Sequence, residues 1–215
     1  MNEARNHILE MLSSGRISSD EADRLLRALA RRHSLWAWLF RPLEQLETRF
    51  AVLAAFVTAL LQLAVALLLH VRFDGALDSH VTGARVAFTP AILDLAVAWP
   101  LTALVFFAVS RLFARQGRFV DLLAGVGIAR LPLVAAGVIT GSFRGVFLDA
   151  ASGTVGPALV AVSLALVPLV VWFVALLVMG LRAASGLRAG KLALASVTAI
   201  VVAEVISKVL LGLGS

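Results

Sequence analysis

Five long apolar runs constrain this chain more than any other feature. They cover roughly residues 50–71, 87–109, 119–140, 156–180 and 191–213. A helix needs about 20 residues to cross the hydrocarbon layer of a bilayer, and each run is long enough. The runs are continuous rather than alternating, so strands are not expected. Because 60% of the chain is apolar and only 15% is charged, the sequence predicts an all-α integral membrane protein with five transmembrane helices.

The basic residues predict how the chain is oriented. The net charge is +6, but the positive charges cluster beside the apolar runs, which is typical of membrane topology and not of nucleic-acid binding. The connecting segments on the N-terminal side hold most of them: Arg31, Arg32, Arg41, Arg49, Arg111, Arg115, Arg118, Arg182, Arg188 and Lys191. We therefore expect the N-terminus in the cytoplasm, the C-terminus outside, a lipid bilayer as partner and no nucleic acid.

Residues 1–33 are predicted to form a cytoplasmic helical hairpin. Two helices, at 3–12 and 19–32, would be joined by a turn at Gly15, and Ser18 with Glu21 has the spacing of a capping box. Each helix carries an apolar stripe, formed by Ile8, Leu9 and Leu12 in the first and by Leu25, Leu26 and Leu29 in the second. A hairpin this small buries little surface alone. Its stripes should dock on the membrane domain, a second copy or a partner; the alternative is a solubilising tail that packs only locally.

Residues 34–49 have the composition of a helix lying in the membrane interface. Trp36, Trp38 and Phe40 are followed by charged residues, and aromatic and arginine side chains favour the headgroup layer. Pro42 should bend this helix. The alternatives are an ordinary linker and a segment that shapes the membrane.

Away from the ends of the predicted spans, four charged residues fall inside the membrane: Asp94, Arg130, Glu204 and Lys208. An isolated charge at mid-bilayer costs about 2.5–3.5 kcal/mol even on the lenient insertion scale, so each should face the bundle and find a partner. Their depths are similar and their charges sum to zero, and Glu204 and Lys208 have the i, i+4 spacing of a helical ion pair. The sequence predicts one paired network in the outer half of the bundle, which is either a structural core or a proton or ion pathway.

The sequence contains no recognisable reaction centre. It has no cysteine, and its four histidines are scattered along the chain without metal-ligand spacing. We expect no catalytic residues, no cofactor and no metal, hence no enzyme. Gly137 and Gly141 have GxxxG spacing, which lets two helices approach closely.

The N-terminal stretch from Ile8 to Leu29 resembles the short helical-hairpin module described as SHOCT-like. The resemblance rests on leucines at a fixed distance before and after a central Gly-Arg-Ile-Ser turn, followed by Glu-Ala: Leu9, Leu12, Gly15, Arg16, Ile17, Ser18, Glu21, Ala22, Leu25 and Leu26. Such modules are appended to bacterial envelope and stress proteins. The resemblance implies a docking or oligomerisation role.

From about residue 45 to its end, the chain resembles the bacterial branch of the YIP family (Ypt/Rab-interacting membrane proteins). The resemblance rests on a cytosolic N-terminus before five closely spaced spans with short loops, and on a pattern before the last span: Trp172, Leu176, Gly180, Leu181, Ser185, Gly186, Lys191 and Leu194. The Asp-Leu-Tyr/Trp-Gly-Pro motif of eukaryotic members is absent, so Rab binding is not implied. The resemblance implies a five-span YIP-like membrane domain over residues 50–215.

Together these features predict a non-catalytic adaptor or scaffold of the bacterial inner membrane. It would associate with another membrane protein, such as an export transporter or an envelope-stress system, or with a second copy of itself. The alternative is a small transporter or channel that uses Asp94, Arg130 and Glu204.

Overall fold

The computed structural model describes residues 2–32, 35–115 and 117–212. Within these ranges, five helical segments are long and apolar enough to cross a membrane, so the predicted fold class is confirmed. These spans are α5 (Thr48–Leu69), α6 (Phe88–Ala114), α7 with α8 (Phe119–Ala129 and Leu131–Ser142), α10 (Pro157–Ser185) and α11 (Ala189–Gly212). Shorter helices complete the described chain: α1 (Asn2–Ser13), α2 (Ser19–Arg32), α3 (Leu35–Phe40), α4 (Pro42–Gln45) and α9 (Arg144–Ala151).

The third span, α7 with α8, is the centre of the bundle. Of its most apolar stretch, 72% is buried, against 22% to 44% for the other four spans. It packs against α5, α6 and α10, and α11 completes the bundle by packing on α6. Small residues such as Ala124 and Ala129 line the third span, because close approach of neighbouring helices requires small side chains.

The bundle has two ends. The end at which the chain enters α5 after the N-terminal hairpin holds α3, α4 and the turn from α10 to α11, and we call it the hairpin end. The opposite end holds α9 and residues 70–87, and we call it the loop end. Two short antiparallel strands, β1 (Val71–Arg72) and β2 (His80–Val81), bring the two sides of 70–87 together. Their connection folds into the bundle, where Phe73 and Ala76 are buried. We call residues 70–87 the re-entrant segment.

The N-terminal hairpin forms as predicted from the sequence. The Ser18 amide donates to the Glu21 carboxylate at 2.9 Å, and the Glu21 amide donates to the Ser18 hydroxyl at 3.2 Å. This reciprocal capping box starts α2. The hydrogen bonds that the Glu21 carboxylate accepts from the amide and hydroxyl of Ser18 lower its pKa. Helices α1 and α2 pack on each other. The predicted boundary at residues 33 and 34, and the side chain of Leu29, lie outside the described part.

The predicted interfacial helix is divided at Arg41 into α3 and α4 by the bend expected before Pro42. Trp172 on α10 donates its indole N–H to the Leu39 carbonyl at 2.9 Å. Leu43 fits a notch where α7 and α10 meet, since a Cβ added to Gly125 would lie 2.7 Å from its Cδ1. The segment is therefore held against the hairpin end of the bundle.

Candidate functional site

The buried charges of the spans lie beneath the re-entrant segment, which provides most of their partners. Gln62 lies seven residues from the loop end of α5, and Glu204 lies eight residues from the loop end of α11, or about 10–12 Å at 1.5 Å per residue. The tip of the re-entrant segment reaches this depth. Non-helical backbone is tolerated there because it is buried in protein and its polar groups are paired.

Arg130 lies at the break in the third span, between α7 and α8. Its side chain is fully buried. The guanidinium donates to the Gln62 side-chain oxygen at 2.9 Å, and to the carbonyls of Gly75 and Ala76 at 3.4 Å each. The buried cation is thus solvated by one amide side chain and by two peptide dipoles of the re-entrant segment.

Glu204 binds the other side of the same peptide groups. The Leu77 amide donates to the Glu204 carboxylate at 2.8 Å, and the Ala76 amide donates to the Ser207 hydroxyl at 3.1 Å. Carbonyls of the segment therefore face Arg130 while its amides face α11. The two side chains attract each other electrostatically across this backbone, so the segment couples a buried cation to a carboxylate.

Asp94 pairs with Arg72 of strand β1 in a bidentate ion pair. The Nε and Nη2 atoms of Arg72 donate to the two carboxylate oxygens at 2.8 and 2.7 Å. Asp94 is buried and Arg72 is partly exposed. This hydrogen-bonded carboxylate raises the pKa of Arg72. The pair holds β1 against α6. An arginine that donates two parallel hydrogen bonds to one carboxylate forms a stronger ion pair than an arginine with a single hydrogen bond.

A second cluster lies closer to the membrane surface. Lys208 on α11 reaches Asp74 at 3.4 Å and also contacts Asp78, and His80 lies 3.4 Å from Asp74. Hydrogen bonding from His80, with smaller attraction from His80 and Lys208, lowers the pKa of Asp74 to about 2. The same carboxylate raises the pKa of His80.

Three members of this cluster have the spacing of metal ligands. Asp74, Asp78 and His80 each offer one ligand atom, and these atoms lie within 4.8 Å of one another. The ammonium group of Lys208 already lies between the two carboxylates. The cluster is therefore a cation-binding arrangement whose cation is a side chain of the protein.

The partners differ from those that the sequence predicts. The sequence predicts pairing among Asp94, Arg130, Glu204 and Lys208, including a Glu204–Lys208 pair. In the structure, Asp94 pairs with Arg72, Lys208 pairs with the aspartates of the re-entrant segment, and Arg130 and Glu204 bind its backbone. The reason is that the segment enters the bundle and presents carbonyls, amides and carboxylates at the depth of each charge.

Sequence reasoning missed the residues that complete the site: Gln62, Arg72, Asp74, Asp78 and His80. Two signals were available. Gln62 is a lone amide in an otherwise apolar run, and the connection between the first two spans is dense in charge for its length. When a short connection holds many charged residues and the neighbouring spans hold charges of the opposite sign, the connection is expected to fold into the bundle.

Gly137 and Gly141 lie where α8 meets α5 and the re-entrant segment. A Cβ on Gly137 would lie 2.7 Å from the ring of Phe73, and one on Gly141 would lie 2.5 Å from the Cβ of Leu69. Neither position has room for a larger residue without a shift of its neighbours. The two glycines thus allow the re-entrant segment and α5 to lie close to the central span.

The apolar stripes of the hairpin are only partly used within the hairpin. Ile8 and Ala22 are buried between the two helices, but Leu9, Leu12 and Leu25 remain 41%, 36% and 42% exposed. At the interface segment, Trp36 and Trp38 are exposed and Trp36 stacks on Phe40 at 5.6 Å. Both regions present apolar side chains away from the bundle core.

Comparison with known proteins identifies the N-terminal region alone. The SHOCT-like domain family matches residues 5–32, in agreement with the hairpin and its capping box. No curated protein and no solved structure matches the chain, and the comparisons give no support to the YIP resemblance. The protein thus carries a SHOCT-like domain at residues 5–32, followed by five helices that are long and apolar enough to span a membrane.

Proposed function

We propose that this protein is a non-catalytic scaffold of the bacterial inner membrane, whose SHOCT-like domain docks a partner on the cytoplasmic side. The observation that carries the proposal is the apolar surface of the hairpin. After α1 and α2 have packed together, Leu9, Leu12 and Leu25 are still exposed. Several exposed leucines on one small domain indicate a surface that a partner covers.

The charge distribution supports the orientation in this proposal. The hairpin-end connections hold Arg41, Arg111, Arg115 and Arg118, whereas the basic residues of the re-entrant segment are balanced by its aspartates. Basic residues concentrate in short cytoplasmic connections. The proposed partner is another membrane protein or a second copy, because the hairpin is part of the same chain as a membrane domain that stays in the bilayer.

The buried charges support a structural role for the membrane domain. Arg130, Asp94 and Glu204 each have hydrogen-bonded partners within the chain. A transport pathway needs groups that exchange partners with a moving ion, whereas these groups fasten the re-entrant segment. The transporter alternative predicts that Glu204→Gln abolishes ion-linked flux in proteoliposomes while the protein stays folded. The scaffold proposal predicts a loss of folded protein, because a buried cation loses its counter-charge.

The proposed docking surface is tested by co-purification from native membranes in mild detergent or nanodiscs. The full chain is compared with a Leu9→Ser, Leu25→Ser variant and with a control variant, Glu10→Ser, Arg24→Ser. The control changes two neighbouring exposed polar residues of the same helices. Hydrogen exchange of the α1 and α2 amides within the full chain verifies that both variants keep the hairpin.

We expect the leucine variant to lose a stoichiometric partner, or a second copy of the chain, that the wild type and the control retain. Quantitative mass spectrometry and the mass of the complex distinguish a different protein from a homo-oligomer. Unchanged association in the leucine variant would contradict the proposed docking role.

A further inference from the structure

The loop end contains a cavity that the proposed scaffold function does not use. It has a volume of about 420 Å³ and lies between the re-entrant segment, α8, α9 and α10. Sites for small molecules usually have volumes of about 300–1,000 Å³. The cavity therefore has the size of a ligand site, and its lining decides the chemistry of the ligand.

The walls of the cavity are apolar and extend deep into the membrane domain. Leu133 on α8 and Leu166 on α10 both line it, and each is nine residues from the loop end of its helix. At 1.5 Å per residue, both lie about 14 Å below those ends. This is about half of the ~30 Å hydrocarbon thickness, the part occupied by one leaflet. Ala136, also lining the cavity, lies between them and the surface.

The mouth of the cavity is polar and carries both signs of charge. Asp78, Ser79 and His80 of the re-entrant segment line it. The side chains of Asp78 and His80 are 39% and 46% exposed, so both remain accessible beside their partners Lys208 and Asp74. The Asp78 carboxylate and the His80 imidazole therefore line the exposed, polar side of the cavity.

We propose that this cavity holds one acyl chain of a zwitterionic phospholipid, whose headgroup lies at Asp78 and His80. The apolar walls match a hydrocarbon tail in depth. The lipid's ammonium group complements the Asp78 carboxylate, and its phosphate can accept a hydrogen bond from the His80 imidazole. A small polar solute would leave its polar groups against Leu133, Leu166 and Ala136 without hydrogen bonds, which is costly. An anionic lipid would place a second negative charge beside the aspartates.

A matched pair of substitutions on one helix tests the tail site. Leu166→Trp fills the cavity, whereas Leu164→Trp places the same side chain at a position that is 65% exposed and outside the cavity. Each delipidated full-length protein is incubated with phosphatidylethanolamine, and lipid retained per chain is counted by native mass spectrometry. We expect wild type and Leu164→Trp to retain one lipid that Leu166→Trp loses. Equal retention by the two variants would overturn the proposal.

The unmodified protein provides a second test that does not depend on whether a variant folds. Phosphatidylethanolamine with a photoactivatable group in its tail is reconstituted with wild type, and crosslinked peptides are mapped. We expect crosslinks concentrated at residues 133–140, 147–151 and 166–170. Crosslinks spread equally over the exposed face of α11 would overturn the tail site. Retention of phosphatidylglycerol equal to that of phosphatidylethanolamine would overturn the zwitterionic headgroup.

Discussion

The two ends of the membrane bundle are held together by different physical means. At the loop end, buried Arg130 and the nearby Glu204 are joined through the peptide groups of residues 75–77. At the hairpin end, Leu43 fits a notch beside Gly125 and Gly180. Directional hydrogen bonds with buried charges allow one arrangement, whereas apolar packing of a flexible side chain tolerates small shifts.

This difference suits the proposed scaffold function. The re-entrant segment is fixed, so the loop end gives the bundle its register. The interface segment is held by Leu43, by the Trp172–Leu39 hydrogen bond and by a 3.2 Å hydrogen bond from Thr48 to Asp121. If the SHOCT-like domain binds a partner as we propose, we expect these contacts, and not those of the re-entrant segment, to yield. The loop end should therefore be more sensitive to substitution than the hairpin end.

The largest expected effect is that of Arg130→Met. The substitution leaves the Gln62 oxygen and two buried carbonyls without their donor, and Glu204 without its cation. Removing one partner of a buried ionic network costs about 3–5 kcal/mol. The free energy of unfolding in a denaturant titration in mixed micelles measures the loss. Arg118→Met, at an exposed position of the hairpin end, is the control and should change stability by less than about 0.5 kcal/mol. Equal losses would remove the contrast between the ends.

A smaller effect is expected when alanine replaces a glycine at each end. At the loop end, a Cβ on Gly141 would lie 2.5 Å from the Cβ and 3.1 Å from the carbonyl oxygen of Leu69. Overpacking against backbone costs about 1–3 kcal/mol. At the hairpin end, a Cβ on Gly125 meets the tip of Leu43, which can rotate away, and the gain in helix propensity of about 1 kcal/mol offsets part of the cost.

Unfolding midpoints of the two alanine variants should therefore separate, with Gly141→Ala the less stable. Gly145→Ala is the control, since a Cβ there meets nothing within 4 Å. Adding Leu43→Ala to Gly125→Ala should remove the steric part of the stability loss that Gly125→Ala causes. The contrast fails if Gly125→Ala is as damaging as Gly141→Ala.

The smallest expected effect is a pH dependence caused by His80. Its pKa is raised in the folded protein by Asp74, so its contribution is complete below the unfolded pKa of about 6.5 and is lost as pH rises through the folded pKa. Asp78 and Lys208 also face it, and Asp74, with its pKa at about 2, stays ionised throughout. Because His80 is 46% exposed, the effect should be below about 1 kcal/mol.

The measurement is the unfolding midpoint between pH 5.5 and 8.5, a range chosen to span about two units around the histidine pKa. We expect stability to decrease toward high pH in the wild type, and His80→Gln to flatten that dependence. His7→Gln, an exposed histidine of the hairpin, should leave the slope unchanged. An identical slope in wild type and His80→Gln would contradict the role of the His80–Asp74 pair.

The parts of the fold that the sequence predicts are those set by local pattern. The five spans follow from the length of apolar runs that a bilayer demands, and α2 begins where its capping box predicts. The bend at Pro42 follows from the missing amide of proline. None of these features depends on contacts with residues that are distant in the chain.

The partners of the buried charges could not be predicted in this way. The re-entrant segment shows no helical or strand periodicity in its sequence, and its two strands pair only two residues each. Its sequence pattern is therefore that of an ordinary connection. Its carbonyls and amides carry no sequence signature, although they bind Arg130 and Glu204. The i, i+4 spacing of Glu204 and Lys208 allows a pair, but Asp74 and Asp78 lie closer to Lys208 in the folded chain.

The coupling of Arg130 to Glu204 through the re-entrant segment is tested most directly by a double-mutant cycle. The free energy of unfolding is measured for wild type, Arg130→Met, Glu204→Met and the double variant under identical micelle conditions. Because both side chains bind the same peptide groups, the double variant should lose less stability than the sum of the single losses, by about 0.5–3 kcal/mol. Losses that add to within about 0.5 kcal/mol would show two independent sites and would contradict the account.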